Sequence, residues 1–416
     1  MNNIIKDDNK LVFDIFVNSK NFFNLIERIY EILNTYEDRA LIYFKNIPYC
    51  YLPEAFDHII YKPLLKTKRI KICSNCRLKK LCSGVEDGSV FDIKSKYLKP
   101  VLSTPDEVVI EITNRCNMKC LMCGVNKNNQ STLDYIEIKK VIDDTKKSGI
   151  KNIRFTGGEP LLHPDILKIL HYSKKNGFYV ILNSVLTAER KIIKNLTGDV
   201  DNVLVSIHGY NAESEKKITG MDMFDLKLKN TEYISKYVDT VRIGSIITKS
   251  LINNFDKYIK IISPKIKVWE LYRPMVSNDF IKKNTDFDIR IKDFKILIKK
   301  ITKVKVPYKI CIANPLPFCM TGSKNYNILL GGKFDDGNSR LVFDVNGYFK
   351  PSYYINFNLG KNISEAWKNK KLRTITYERH IGAECRDCCY LLRCYSGSRF
   401  LGYVKKNKFL TDPLLK

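Results

Sequence analysis

The sequence predicts an α/β protein whose parallel sheet of six βα units curls into an open, partial (β/α)6 TIM-like barrel. A small N-terminal α+β region with a cysteine cluster precedes the barrel, and a cysteine-rich domain follows it. Three observations carry this expectation. Strand-like and helix-like segments alternate from Val101 to about Lys303; cysteines gather before, inside and after that stretch; and short polar motifs fall directly after the strand-like segments. A chain of 416 residues is long enough for two or three domains. The expected boundaries are 1–100, 101–303 and 304–416.

The N-terminal region is read from periodicity. Leu11–Val17 alternates as a strand does, Phe22–Tyr36 sets Phe22, Leu25, Ile26, Ile29, Ile32 and Leu33 on one helical face, and Ala40–Phe44 is a second strand. This is a βαβ-like unit. It leads to Cys50 in IPYC and then to Cys73, Cys76 and Cys82 in the spacing C-x2-C-x5-C. Three thiols this close among Arg77, Lys79 and Lys80 are poorly explained as buried apolar filling. With Cys50 they make four, enough for an auxiliary [4Fe–4S] cluster or for a zinc site.

In the centre the expected strands are Glu107–Ile112, Lys151–Phe155, Phe178–Asn183, Asn202–Ile207, Thr240–Ile247 and Lys267–Leu271. Helices lie between them. Leu133–Ser148 stops before Gly149, and His163–Asn176 carries Pro164 in its first turn and Gly177 after its end. A curled parallel sheet places function at the carboxyl ends of its strands. Cys116, Cys120 and Cys123 (C-x3-C-x2-C) follow the first strand there. Gly157-Gly158-Glu159-Pro160 follows the second, Asn183-Ser184 ends the third and Ser206-Ile207-His208-Gly209 ends the fourth. Three thiolates on one loop can hold three irons of a cubane cluster and leave the fourth open. Zinc would want a fourth protein ligand, and none is near in sequence. Arg273, beyond the sixth strand, is placed either toward the mouth of the site, where it can bind a carboxylate or phosphate, or in a surface salt bridge.

Composition bounds the remaining classes. Apolar residues make up 44% of the chain without any uninterrupted run near the length of a membrane span. The opening MNNIIKDDNK lacks the basic-then-apolar pattern of a signal peptide. A cytoplasmic protein without membrane contact is expected, and its thirteen cysteines suggest metal ligation rather than disulfides. The formal charge of +27 fits a generally basic surface. It also fits an acidic partner such as nucleic acid, an acidic peptide or a phosphorylated metabolite.

The cysteine loop and the GGEP motif, each behind a strand and in this order, resemble the radical S-adenosylmethionine (SAM) superfamily. The resemblance implies a [4Fe–4S] cluster on Cys116, Cys120 and Cys123, with SAM chelating the open iron through its amino and carboxylate groups. It implies cofactor binding by Gly157, Gly158, Glu159 and Pro160, with Glu159 accepting from the ammonium and the glycines letting backbone approach the methionine moiety. Polar contacts to ribose and carboxylate fall to Asn183, Ser184 and Ser206. His208 stands where many relatives have Asp, and faces either substrate or its own loop.

Beyond the barrel, Phe343–Ser352, Asn358–Arg373 and Cys385–Ser398 resemble in turn the SPASM/twitch extension of such enzymes, which carries auxiliary clusters. Cys385, Cys388 and Cys394 keep the pattern, whereas Ser352 and Ser398 occupy two positions where thiols are usual. One auxiliary cluster is therefore expected here, with Cys319 of NPLPFC as its fourth ligand. NPLPFC echoes IPYC, and each precedes C-x2-C-x5-C: a weak internal repeat. Cys311 and Cys389 are left as buried thiols, Cys389 also as a competing ligand.

The function implied is reductive cleavage of SAM to a 5′-deoxyadenosyl radical that abstracts hydrogen, most often from a peptide or protein, with a flavodoxin- or ferredoxin-type electron donor. A small metabolite such as a nucleotide-linked sugar, or RNA, is the alternative substrate. A non-catalytic iron–sulfur electron carrier is the alternative class, but a carrier has no use for GGEP behind a three-cysteine loop.

Overall fold

The computed structural model describes residues 4–7, 10–14, 28–33, 35, 41–89, 98–125, 130–320, 328–333, 335, 337–372, 381, 385, 388, 390–406 and 412–415. Its first sheet has four strands, β1 (Ile4–Asp7), β2 (Lys10–Asp14), β3 (Leu41–Lys45) and β4 (Ile59–Ile60), in that spatial order. β2 and β3 are parallel, as a βαβ unit requires. Residues 28–33 between them are helical and bury Ile29 and Leu33 against Ile42 and Phe44. The rest of the expected helix apart from residue 35, and residues 15–17 and 40 of the expected strands, lie outside the described residues. A two-stranded ribbon, β5 (Thr67–Lys68) with β6 (Val85–Glu86), follows.

The main sheet runs β13-β12-β11-β10-β9-β8-β7-β14-β15. Its strands are β7 (Glu107–Thr113), β8 (Asn152–Gly157), β9 (Tyr179–Ser184), β10 (Asn202–Ser206), β11 (Thr240–Ile246), β12 (Val268–Tyr272), β13 (Lys309–Ile312), β14 (Arg340–Phe343) and β15 (Phe349–Lys350). All neighbours are parallel except the β14–β15 hairpin. The six expected strands are present, within a residue or two, as β7–β12. The sheet then continues past Lys303: β13 adds to β12, and β14 lies along β7 with Arg340 opposite Glu107. No closed barrel forms among the described residues, because β13 and β15 do not meet.

Alternation decides what each face of the sheet does. Val108, Ile110, Ile112, Ile153, Phe155, Val180, Leu182, Val203, Val205, Ile243 and Leu271 build the core beneath the helices. The opposite face carries Glu107, Glu111, Arg154, Asn183, Arg242 and Glu270. α1 (Tyr135–Lys147) opens on a capping box, Asp134 accepting from Glu137 N and Glu137 reaching back to Asp134 N. The next helix, α2 (Ile166–Lys175), begins three residues later than its periodicity suggests. Pro164 pushes His163 into an extended conformation, and the His163 ring is held there by Leu133 O and Asp165 N.

Arg273 meets neither expectation. It is 5% exposed, forks onto the Asp412 carboxylate with Nη2–Oδ1 at 2.9 Å, and donates to Pro315 O at 3.1 Å. Asp412 also accepts from Ser398 N and Leu414 N. The pair thus ties the end of β12 to residues 412–415. Arg273→Met strands a buried carboxylate and should cost about 3–5 kcal/mol, read as a lower midpoint in chemical denaturation. An unchanged midpoint would show that this pair does not hold the C-terminal segment.

Candidate active site

The cysteine loop, GGEP, Asn183-Ser184 and Ser206–Gly209 sit at the carboxyl ends of β7, β8, β9 and β10. β7 is buried along its whole length, and the loop it launches is pinned on several sides. Asn114 N donates to Ser131 O, Lys119 N to Thr219 O and Leu121 N to Ile218 O. Asn117 Nδ2 donates to Thr187 Oγ1 at 2.8 Å, and Met118 packs inward. Cys116 and Cys123 are exposed, Cys120 is half-buried, and none of the three is in a disulfide. Burial pushes the Cys120 thiol up to about 11, helped by the neighbouring Cys123. A positively charged ligand is what would make these groups thiolates at neutral pH.

The glycines of GGEP serve the cysteine loop directly. A Cβ on Gly157 would lie 2.2 Å from Thr113 O, and one on Gly158 would lie 2.2 Å from Arg115 O. Gly157 also sits at φ +141°. Through that gap Gly158 N donates to Thr113 O at 2.6 Å and Glu159 N to Arg115 O at 2.7 Å. The space freed by the two missing side chains is filled by the root of the cysteine loop. Glu159 likewise has partners within the chain. Its carboxylate, 1% exposed, accepts from Leu161 N (3.0 Å), Ser184 Oγ (2.7 Å) and Val185 N (2.7 Å). Ser184 Oγ in turn accepts from Leu186 N. Glu159 and Ser184 therefore bolt the second strand end to the third.

Asn183 Oδ1 accepts from Arg154 Nη1 at 3.0 Å, on the inward face. Ser206 ends β10 half-exposed. His208 is held by its own loop: its Nδ1 accepts from Ile246 N at 3.2 Å, so Nε2 carries the proton, and its carbonyl accepts from Tyr258 Oη. Burial lowers its pKa from 6.5 to about 4. Below the loop, Glu215 accepts from His208 N and Gly209 N, both at 2.6 Å, and pairs with Lys227. Both side chains of this pair are fully buried, and Lys227 lies in the electrostatic field of Cys116, Cys120 and Glu159.

Sequence reasoning passed over the inward layer of charge. Arg154 forks onto Glu107 (3.0 and 2.9 Å), which also pairs with Arg340 at 2.8 Å. Burial opposes ionisation of Glu107, but Arg154 and Arg340 hold it at about 2. Arg242 donates to Asn202 Oδ1 and Glu270 Oε1, and Tyr272 donates to Glu270. Lys350 bridges Glu111 (2.7 Å) and Asp344 (2.9 Å). Burial nevertheless raises Glu111 to about 7. The signal was available: Glu107, Glu111, Arg154, Arg242 and Glu270 stand inside strands that the flanking apolar residues mark as buried.

The outer thiols fall into two groups. Cys319 is the electrostatic neighbour of Cys385 and Cys388, and Cys394 of Cys319 and Cys385. Phe318 N donates to Cys394 Sγ at 3.5 Å. Cys50 is the neighbour of Cys73, Cys76 and Cys82. Ser352 and Ser398 are buried, and their hydroxyls accept from Tyr354 N and Leu401 N as local caps. Cys311 is buried in β13, and Cys389 lies outside the described residues. Among the described residues, no three His, Cys, Asp or Glu side chains come together as a site for one metal ion. No described helix is long and apolar enough to cross a membrane.

Residues 110–258 match the model of the radical SAM superfamily. The matched stretch runs from β7 through β11 and contains the cysteine loop and the GGEP turn. It is 32% identical over 149 residues to a probable GTP 3′,8-cyclase of Thermococcus kodakarensis, a match covering 34% of this chain and 48% of that protein. The chain thus spans about half the length of that relative. In fold it is similar to SuiB of Streptococcus suis bound to the precursor peptide SuiA (TM-score 0.59, 15% identity, 79% of each chain). It is similar also to anSMEcpe with bound AdoMet and the Cp18Cys peptide (TM-score 0.58, 18% identity, 74% of this chain and 93% of that one). The superfamily's cofactors are a [4Fe–4S] cluster and SAM. The donor set here fits them: three accessible thiols on one braced loop, a number that suits a cubane with one open iron.

Two outcomes test this geometry. Glu159→Gln puts an NH2 against Ser184 Oγ–H or Val185 N–H, so it should destabilise the apoprotein by about 1–3 kcal/mol, seen by thermal unfolding without any cofactor. An unchanged melting temperature would leave Glu159 free for a ligand. His208 is lowered, so the fold favours its neutral form. Its contribution is complete above pH 6.5 and is lost as pH falls toward about 4. His208→Gln should flatten the fall of stability across that window; an identical pH profile would contradict the assignment.

Proposed function

We propose that this chain cleaves SAM reductively at the Cys116–Cys123 loop and uses the resulting radical to abstract hydrogen from a peptide or protein. The observation that carries the reading is the backbone stitching of GGE to that loop at the carboxyl end of the sheet. When bound, the cluster supplies one electron to the sulfonium of SAM. The chain's own residues fix the cysteine loop, through Thr113, Arg115 and Thr219, and brace the strand ends around it, through Glu159, Ser184 and Glu215. Pro160 starts the turn that completes the brace. Gly157, Gly158, Asn183 and Ser206 line the end of the sheet where SAM would lie.

A peptide substrate is favoured over a nucleoside triphosphate by the inward layer. There Arg154, Arg242, Arg340 and Lys350 face Glu107, Glu111, Glu270 and Asp344 in pairs. Each described cation of this layer has a carboxylate partner, which leaves little positive charge for a polyphosphate. The fold likeness to SuiB and anSMEcpe, both solved with peptides, supports the same reading. A small nucleotide metabolite is the second reading, favoured by the GTP 3′,8-cyclase relatives. Cys319, Cys385, Cys388 and Cys394 would hold an auxiliary cluster of SPASM/twitch type, and a flavodoxin or ferredoxin of a reducing cytoplasm would supply electrons.

Changing Cys116, Cys120 and Cys123 together to Ala should abolish 5′-deoxyadenosine formation from SAM and dithionite after anaerobic reconstitution. Persistent product would overturn the assignment. Mass spectrometry of wild-type reactions with a cysteine-containing peptide or with GTP separates the substrate classes: a mass change of the peptide supports the first reading, turnover of GTP the second.

A further inference from the structure

Outside the barrel, the most elaborate unexplained structure is the thiol group between β4 and the barrel. The ribbon β5–β6 pairs Thr67 with Glu86 and Lys68 with Val85, closing a knuckle that carries Cys73, Cys76 and Cys82. The knuckle is built residue by residue. Cys73 N donates to Ile70 O at 2.9 Å, Cys76 N to Cys73 O at 3.3 Å and Cys82 N to Leu78 O at 2.9 Å. Gly84 N donates to Cys82 Sγ at 3.4 Å. Gly84 sits at φ +118°, and a Cβ there would lie 2.3 Å from Lys68 O. The ribbon therefore closes over the thiols only with glycine at this position.

The fourth thiol comes from a different element. Cys50 lies in the turn Tyr49–Tyr51, anchored where Lys99 N donates to Cys50 O at 2.9 Å. All four thiols are free and only partly buried, so neither disulfide pairing nor full apolar burial accounts for them. Cys50 packs against the N-terminal core, Cys76 against the main core and Cys82 against both. The group is thus wedged at the seam of two bodies, reached from two separate segments. Zinc would need all four sulfurs at about 2.3 Å from one ion. A cubane, whose four irons each take one thiolate, holds its ligands farther apart.

We propose that Cys50, Cys73, Cys76 and Cys82 hold a [4Fe–4S] cluster of their own. It is separate from the barrel loop and independent of which substrate the barrel takes. With four thiolates it leaves no open iron. It therefore serves as a structural or electron-carrying centre, not as a second SAM site. Its module abuts the C-terminal thiols: Tyr43 meets Tyr390 edge-on at 5.3 Å, and Lys333 pairs with Asp57 at 3.2 Å.

The test uses the full chain, purified and reconstituted without oxygen. Cys73→Ala/Cys76→Ala/Cys82→Ala should lose about four irons and four sulfides relative to wild type, while 5′-deoxyadenosine formation at the barrel loop persists. An unchanged iron count overturns the proposal, as does one zinc per chain in wild type that disappears in the variant. Should the triple variant fail to fold, Cys50→Ser decides. Loss of one ligand should give a new three-iron EPR signal on mild oxidation, and a spectrum identical to wild type overturns the assignment. Failure of the barrel reading would instead appear as absent 5′-deoxyadenosine with all irons in place.

Discussion

Two absent Cβ atoms hold this site together. At Gly157 and Gly158 the backbone of the second barrel strand comes within hydrogen-bonding distance of Thr113 and Arg115, the residues from which the cysteine loop springs. Any side chain there would displace the loop by the width of a methyl group. The position of Cys116, Cys120 and Cys123 relative to the sheet follows from that contact. The same turn carries Glu159 across to Ser184 and Val185, so the first, second and third strand ends move as one piece. The fourth joins through Glu215, which gathers His208 N, Gly209 N and Lys227 under the loop. Helix ends complete the brace where Ile218 and Thr219 carbonyls receive Leu121 and Lys119.

Such a brace suits a group that must be rigid and yet accessible. The loop's backbone is secured from below while Cys116 and Cys123 stay exposed. The interior of the sheet is polar rather than greasy, but its charges are mutually satisfied, as low-dielectric surroundings require. Glu111 is the exception in degree. Lys350 lies 2.7 Å away, yet burial and the nearby Asp344 keep it close to half-protonated near neutral pH.

Much of this was legible in the sequence because the signals were local. Strand after strand, short apolar runs set between helix-like segments marked β7–β12 to within a residue or two. The motifs at their ends needed only the rule that function sits at the carboxyl edge. What escaped was non-local. Arg273 could not reveal its partner, because Asp412 lies far along the chain. Glu159 carries a charge that suggests a ligand, while its actual donors, Ser184 and Val185, come from another strand. The start of α2 was misplaced because Pro164 reads equally well inside a first turn or before it. The grouping of Cys50 with its three followers, and of Cys319 with its own, rested on a repeat in the sequence. Cys50 is the electrostatic neighbour of Cys73, Cys76 and Cys82, and Cys319 of Cys385 and Cys388.

β14 lies alongside β7, and this has a bearing on how the protein comes into being. The two strands are more than two hundred residues apart, so the ribosome delivers the partner of β7 late. Until then the strand that roots the cysteine loop is a naked sheet edge, the kind of surface on which nascent chains pair wrongly. Its loop and thiols are already synthesised while the edge is still open. Metal loading that waited for the hairpin would meet a finished sheet; loading that came earlier would meet one still able to slip.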